Sequence, residues 1–251
     1  MVLKAMRRFL FARLFLPALA WAAGPAAGPP PLLAAAVGKS AADADRWAYT
    51  QTVVNRDRDG RVKEELVVRY DPSQPFELQW TPLSIDGRPP TEHQLRKYRQ
   101  DHEQRRKQRR TLGELLDLAK ATEVGATAGT VTYEVPLSPN DNLRLPPEKF
   151  RVTVRVDRER QTLENVAVRL RAALRVALVL KLKSGEADLD FATVDPQFAP
   201  PITALNAEGE GTILFIKVGG SYAATRTDFR RVTPYAERFK VKLGEMKFLD
   251  Y

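Results

Sequence analysis

Cysteine is absent from the 251-residue chain. That excludes a disulfide framework, cysteine-ligated zinc and a lipid anchor on an N-terminal cysteine, so the fold has to be held by its core. Histidine is scarce. His93 and His102 lie nine residues apart on one predicted helix, which at 3.6 residues per turn puts them on opposite faces, unable to share a metal. They read as exposed polar residues. Also missing are G-x-S-x-G, H-E-x-x-H, P-loop and dinucleotide-binding fingerprints, the usual sequence warrants for hydrolase, zinc-protease and nucleotide-dependent chemistry. No cofactor and no metal site are expected, and the chain is not expected to be an enzyme.

Acidic residues are the minority, 31 against 40 Lys and Arg, for a formal charge of +9. Such an excess invites an anionic partner, but it is local. Lys4, Arg7, Arg8 and Arg13 fall in the first 24 residues, and segment 92–110 carries eight basic residues against three acidic ones. The remainder is close to neutral.

Long apolar runs are missing after residue 24. Before it, a basic start leads into apolar stretches at 9–12 and 14–23, separated by Arg13. That order is the secretory pattern. Residues 1–22 are expected to be a cleavable signal, with Ala18-Leu19-Ala20 or Ala20-Trp21-Ala22 as the cleavage site. The apolar part is short of the ~20 residues a membrane span needs. Residues 23–45, rich in Ala, Pro and Gly, read as a flexible, disordered linker. The working protein is then one domain over residues 46–251, exported to the periplasm.

From Trp47 onward apolar and polar residues alternate with period two. Trp47, Tyr49, Gln51 and Val53 share one face of a first strand. Asp59-Gly60 supplies a hairpin turn, and further strands follow at 62–70 and 76–85. Pro89-Pro90 stops the sheet. Thr91 then caps a helix with Glu92 in its first turn, where a carboxylate suits the helix dipole. The helix runs towards Arg110 with only Leu95 and Tyr98 apolar. A shorter one is expected at 112–119, with Leu112, Leu115, Leu116 and Ala119 on one side. After Gly129 the candidates are all strands: 130–136, 150–157, 162–170, 174–183, 187–194, 212–218, 221–232 and 239–243. Even positions from Val166 to Leu182 are apolar, with Arg169, Arg171, Arg175, Lys181 and Lys183 between them. A helix would scatter those cations, whereas a sheet with one dry face turns them all outward. The fold class is therefore α+β and mostly β: a single curved antiparallel sheet, a half-barrel of about eleven strands, with helices inserted after the third.

Two polar groupings remain. Glu186, Asp188 and Asp190, at i, i+2 and i+4, are either a cation or acid–base set or the wet face of a strand, and the alternation favours the strand. Arg105, Arg106, Lys107, Arg109 and Arg110 are either solvated or contact something anionic, a membrane surface or an acidic protein. Nucleic acid is the reflex reading of such a cluster but is disfavoured outside the cytoplasm.

A resemblance gathers these features. The phrases Arg69-Tyr70-Asp71-Pro72-Ser73 and Trp80-Thr81-Pro82-Leu83-Ser84-Ile85-Asp86-Gly87-Arg88-Pro89-Pro90-Thr91 follow a strand opened by Trp47, and a charged helix and many amphipathic strands come after them. The chain resembles a group of uncharacterised exported bacterial proteins, and through them is similar in layout to the periplasmic lipoprotein carriers and receptors LolA and LolB and the sensor RseB. The resemblance implies an open sheet closed by helices around an apolar cavity that accepts acyl chains. It carries no functional residue onto this sequence.

The leading expectation is a soluble periplasmic binding protein holding an acyl chain, a lipoprotein or another apolar ligand in a half-barrel cavity. Trp80, Leu174, Val176, Leu178, Leu180, Leu182 and Phe215 are the candidate lining residues, though an ordinary core asks for the same apolar face. The alternative is an envelope protein-interaction or stress-sensing module without a lipid ligand. A third reading is an enzyme acting on an envelope component. No catalytic residue is assigned.

Overall fold

The computed structural model describes residues 28–106, 110–139, 146–176, 180–213 and 216–238. The expected signal at 1–22 and the expected last strand at 239–243 lie outside them.

The first described element corrects the linker. Residues Pro31–Asp43 form a helix, α1, with proline at its start, and Ala44–Arg46 continue it as a 3-10 turn. Proline suits the first helical turn because its missing N–H would have no partner there anyway, and alanine is the best helix former. Leu33, Ala36 and Val37, spaced i, i+3, i+4, are buried against the sheet. An Ala- and Pro-rich segment with such a stripe is a docked helix, not a tether.

Eleven strands follow, as expected: β1 (Trp47–Asp57), β2 (Val62–Tyr70), β3 (Trp80–Ile85), β4 (Thr122–Ala126), β5 (Thr130–Glu134), β6 (Phe150–Asp157), β7 (Thr162–Leu170), β8 (Leu174–Val176), β9 (Leu180–Phe191), β10 (Ile202–Ile213) and β11 (Ile216–Arg231). They make one antiparallel sheet in the order β3-β2-β1-β11-β10-β9-β7-β6-β5-β4, with β8 paired to β9. The sheet is open, and β3 and β4 are its edges. Segment 86–121 must therefore travel from one edge to the other, and it carries helices α2 (Glu92–Arg106) and α3 (Leu112–Leu115).

Register makes one face dry. Tyr133, Val154, Val166, Leu189, Leu205, Ala224, Val53 and Leu66 stand opposite one another in sequence across eight strands. The neighbouring row, Thr132, Arg155, Asn165, Asp190, Ala204, Thr225, Thr52 and Val67, is mostly polar and faces the other way. Side-chain period two is what separates the two rows.

Strand limits differ from expectation in several places. The 76–85 candidate is a strand only from Trp80, 174–183 divides between β8 and β9, and 212–218 takes in the end of β10 and the start of β11. The 187–194 candidate belongs to a longer β9 that starts at Leu180. β10 was not expected before residue 212, because its Asn, Glu and Gly residues hide the alternation. β4 escaped notice for the same reason: it is short, and all five of its residues are exposed.

Two clusters pack on the dry face. The larger joins α1 to β5, β6, β7 and β9 around Val135, Val152, Val154, Val156, Leu163 and Val166, with Leu116 closing over it. Each such side chain is worth about 1.5–3 kcal/mol of burial. The smaller is aromatic. Trp47, Tyr49 and Tyr70 are buried, and Trp80, Phe198 and Phe229 lean on them, with the Tyr70 and Trp80 ring centres 4.5 Å apart.

Thr91 caps α2 as expected, and Gln94 answers it. Thr91 Oγ1 accepts from the Gln94 amide at 3.3 Å, while Gln94 Oε1 accepts from the Thr91 amide at 2.8 Å. This reciprocal pair satisfies two backbone donors that the helix leaves free.

The turn after β2 is held by Asp71. Its Oδ1 accepts from the Ser73 amide at 3.0 Å and the Ser73 hydroxyl at 2.6 Å, and its Oδ2 faces Arg230 at 3.0 Å. Burial opposes the charge, but the Ser73 hydroxyl and amide and the Arg230 and Arg69 cations outweigh it, so the carboxyl titrates below its ordinary value. A depressed carboxylate stabilises above its unfolded pKa and loses that effect as pH falls through the folded value. Asp71→Asn should cost about 1–2 kcal/mol at pH 7, chiefly through the two Ser73 bonds. Arg230 is largely exposed and screened, and adds little. Urea titrations of wild type and variant should converge as pH drops below about 4; a gap that persists unchanged at pH 2 would mean that the carboxylate charge is irrelevant.

Candidate functional site

The two clusters do not meet. Between them lies a cavity of about 550 Å³. Its floor is Trp47 and Tyr49 of β1, Leu189 and Phe191 of β9, Ile202 of β10 and Arg226 of β11. Its roof is the second half of α1, from Val37 to Asp43, and residues Arg110–Leu115 at α3.

Local chemistry fixes the roof. Asp43 ends α1 with Oδ2 accepting from the Ala199 amide at 2.9 Å and Oδ1 bonded to Arg231. The Arg231 guanidinium lies 4.0 Å from the Phe198 ring centre and 5.1 Å from that of Trp47. This cation–π packing ties the end of the helix to the aromatic cluster. On the other side Thr111 and Glu114 form a capping box around α3. Two bonds then lash α3 to the chain after β5: the Ser138 amide donates to Leu115 O, and the Asp117 amide to Pro136 O, each at 2.8 Å. The bonds that Glu114 accepts from the backbone and side chain of Thr111 hold its carboxyl below the ordinary range.

Three carboxylates border the cavity and each holds another group. Asp43 holds Arg231 and Ala199, Asp45 accepts from the Tyr70 hydroxyl at 3.3 Å, and Glu114 is committed to its cap. Apolar side chains make up most of the remaining wall. That composition, an apolar hollow of a few hundred Å³ with a small number of fixed polar groups, is what small-molecule binding sites share.

The expected lining residues are placed elsewhere or lie outside the description. Trp80 packs on Tyr70 and Tyr49, one layer behind the cavity wall. Leu174 and Leu182 oppose each other between β8 and β9. Leu174 is buried, and a Cβ on Gly185 would come 3.7 Å from Leu182; neither leucine lines the cavity. Val176 and Leu180 are backbone partners at the ends of the same two strands. Leu178 and Phe215 lie outside the described residues. Of the basic segment, Arg105 and Arg106 end α2, Lys107 and Arg109 lie outside the described residues, and Arg110 stands on the cavity rim.

Sequence reasoning missed Arg226, Leu189, Phe191, Ile202 and the whole α1 roof. Arg226 was detectable: with Phe229 it breaks the alternation of β11, and register places it opposite Gln51.

Glu186, Asp188 and Asp190 are the wet face of β9. Arg169 reaches Glu186 at 2.9 Å and Asp188 at 2.7 Å, and Asn165 Nδ2 donates to Asp190 at 2.7 Å. Among the described residues no three acidic or histidine groups gather as a metal site. A second hollow, about 400 Å³, sits at this end of the sheet among Asp57, Arg58, Arg169, Glu186, Glu208 and Glu210. It is polar and open.

No family model matches the chain, and neither does any curated protein. Among solved structures the fold is similar to that of a LolA superfamily protein, NE2245 from Nitrosomonas europaea, at 10% identity, over 84% of this chain and 96% of that one, with a TM-score of 0.41. That likeness carries no residue correspondence, so the cavity has to be read from its own side chains.

Proposed function

We propose that this protein is a soluble, exported binding protein that holds an acyl chain or another apolar ligand in the cavity between α1, α3 and the sheet, without transforming it. The observation that carries this reading is the cavity itself: about 550 Å³ of mostly apolar wall between two separately packed clusters. A concave, mostly apolar site of that size with a few fixed polar groups suits one small apolar ligand. The engagement of Asp43, Asp45 and Glu114 in structural bonds supports binding over turnover. The basic, apolar, small-residue order of the first 24 residues supports export to the periplasm.

Native mass spectrometry with lipid extraction on protein purified from a periplasmic fraction tests the reading. A stoichiometric apolar ligand is the expected result. A clean apo mass with no uptake of a fluorescent fatty acid would favour a protein-interaction module instead. Leu115→Trp probes the place. Leu115 is half-buried on the roof, and an indole there should occupy the cavity, lower fluorescent fatty-acid affinity about tenfold or more, and leave the urea midpoint within about 1 kcal/mol of wild type. Unchanged affinity would move the ligand out of this cavity.

A further inference from the structure

Arg226 is a cation on the dry face of a sheet. Register pairs it with Gln51, two residues from Tyr49 and Val53, so its side chain rises from the same face as the apolar row. There its Nε donates to Gln51 Oε1 at 2.9 Å and its guanidinium carbon lies 4.5 Å over the Tyr49 ring. Nη1 has only a long contact, 3.5 Å, to Ile202 O, and Nη2 makes no hydrogen bond among the described residues.

Among the described residues no carboxylate pairs with it. Arg46, Arg169 and Arg231 are also half-buried and close on carboxylates, Glu237 for Arg46, Glu186 and Asp188 for Arg169, and Asp43 for Arg231, whereas Arg69 and Arg160 hold neutral oxygens away from the cavity. Arg226 closes on a neutral amide and an aromatic ring. A guanidinium stays charged under all ordinary conditions, and a partly desolvated charge without a counter-charge is costly. The Gln51 bond and the Tyr49 ring fix its orientation and leave Nη2 open in the cavity floor, with Nη1 held only by the long Ile202 contact. Rigid, oriented and uncompensated is the arrangement that recognises a carboxylate or phosphate bidentately. Arg110 adds a second cation at the rim of the same cavity.

We infer that the cavity takes a single-chain anionic amphiphile, its carboxylate or phosphate head on Arg226 and its apolar chain along Leu189, Phe191 and Leu112. This rests on the cavity being the ligand site. The size supports one chain, since hollows of ~300–1,000 Å³ hold one small ligand.

Calorimetric titration of the full exported chain with dodecanoate, dodecyl phosphate and dodecanol tests it, because the three share one chain and differ in the head. Wild type is expected to bind at least one of the two anions tenfold or more tighter than dodecanol, and the tighter anion names the head group. Arg226→Gln should erase that preference by weakening the anions tenfold or more relative to dodecanol, and Arg226→Lys should restore part of it. Equal binding of anions and alcohol by wild type would overturn the inference while leaving the apolar cavity standing. Binding of none of the three would overturn both. Displacement of dodecanoate by inorganic phosphate at similar concentration would also overturn it, since the chain would then contribute nothing. If Arg226→Gln fails to fold by circular dichroism, the wild-type comparison of the three heads decides alone.

Discussion

Leu33→Ala should cost the domain about 3 kcal/mol, visible as a fall of roughly 10 °C in melting temperature. Leu33 is fully buried. It enters the larger cluster from α1, so truncation removes its transfer energy and leaves a hole that surrounding valines cannot fill. In Leu-to-Ala substitutions the residual hole dominates the spread, and the tight β6 and β7 surface beneath α1 offers little room to collapse. Lys39→Ala, on the exposed side of the same helix, should change stability by less than about 0.5 kcal/mol. Equal effects from the two variants would return residues 31–43 to the status of a tether. The cavity would lose its roof with them, so the stability measurement also bears on the proposed function.

Gly220→Val should be of similar size, about 3 kcal/mol in urea unfolding, for a different reason. Gly220 sits where β11 meets both β1 and β10, opposite Asp57 and Gly209. A Cβ there would stand 2.2 Å from Arg56 O and 3.3 Å from Arg56 C. Those are backbone atoms inside the β1–β11 ladder, which cannot swing aside as a side-chain tip can. The ladder itself has to open, and overpacking of that kind costs ~1–3 kcal/mol or more. Gly38→Ala is the contrast. It is exposed in α1 with nothing within 4 Å of an added Cβ, and should stabilise by up to about 1 kcal/mol through helix propensity. A neutral Gly220→Val would mean that β1 and β11 do not approach as described. Because β1 and β11 join the first three strands to the last two, loosening them should also widen the cavity floor between Tyr49 and Arg226.

The exposed Arg155–Glu164 pair across β6 and β7 at 2.7 Å contributes little energy on its own, since surface ion pairs are worth ~0–1 kcal/mol. Its value lies in register, where a one-residue slip would turn the wet row inward.

By itself the sequence determined the mostly β class, the single antiparallel sheet, the position of the α2 start at Thr91 and the wet face of β9. Each of these is local: period-two alternation, a cap residue and a turn glycine act on their immediate neighbours. Even the Trp47, Tyr49, Gln51, Val53 face of β1 was legible, because one strand carries its own alternation. α1 was also legible in principle, through Pro31 and the Leu33–Ala36–Val37 spacing, but its alanine content looked like low complexity. Only the tertiary structure decided where the cavity lies. An apolar face must be covered, yet whether a helix, an aromatic ring or a void covers a given stretch depends on which strands become neighbours. The pairing of β1 with β11, from opposite ends of the chain, brings Arg226 beside Gln51 and Tyr49 and sets the aromatic cluster apart from the valine core. No residue pattern along β1 or β11 specifies that partner, because backbone hydrogen bonds are the same for every strand and only the closure of the whole sheet selects among them.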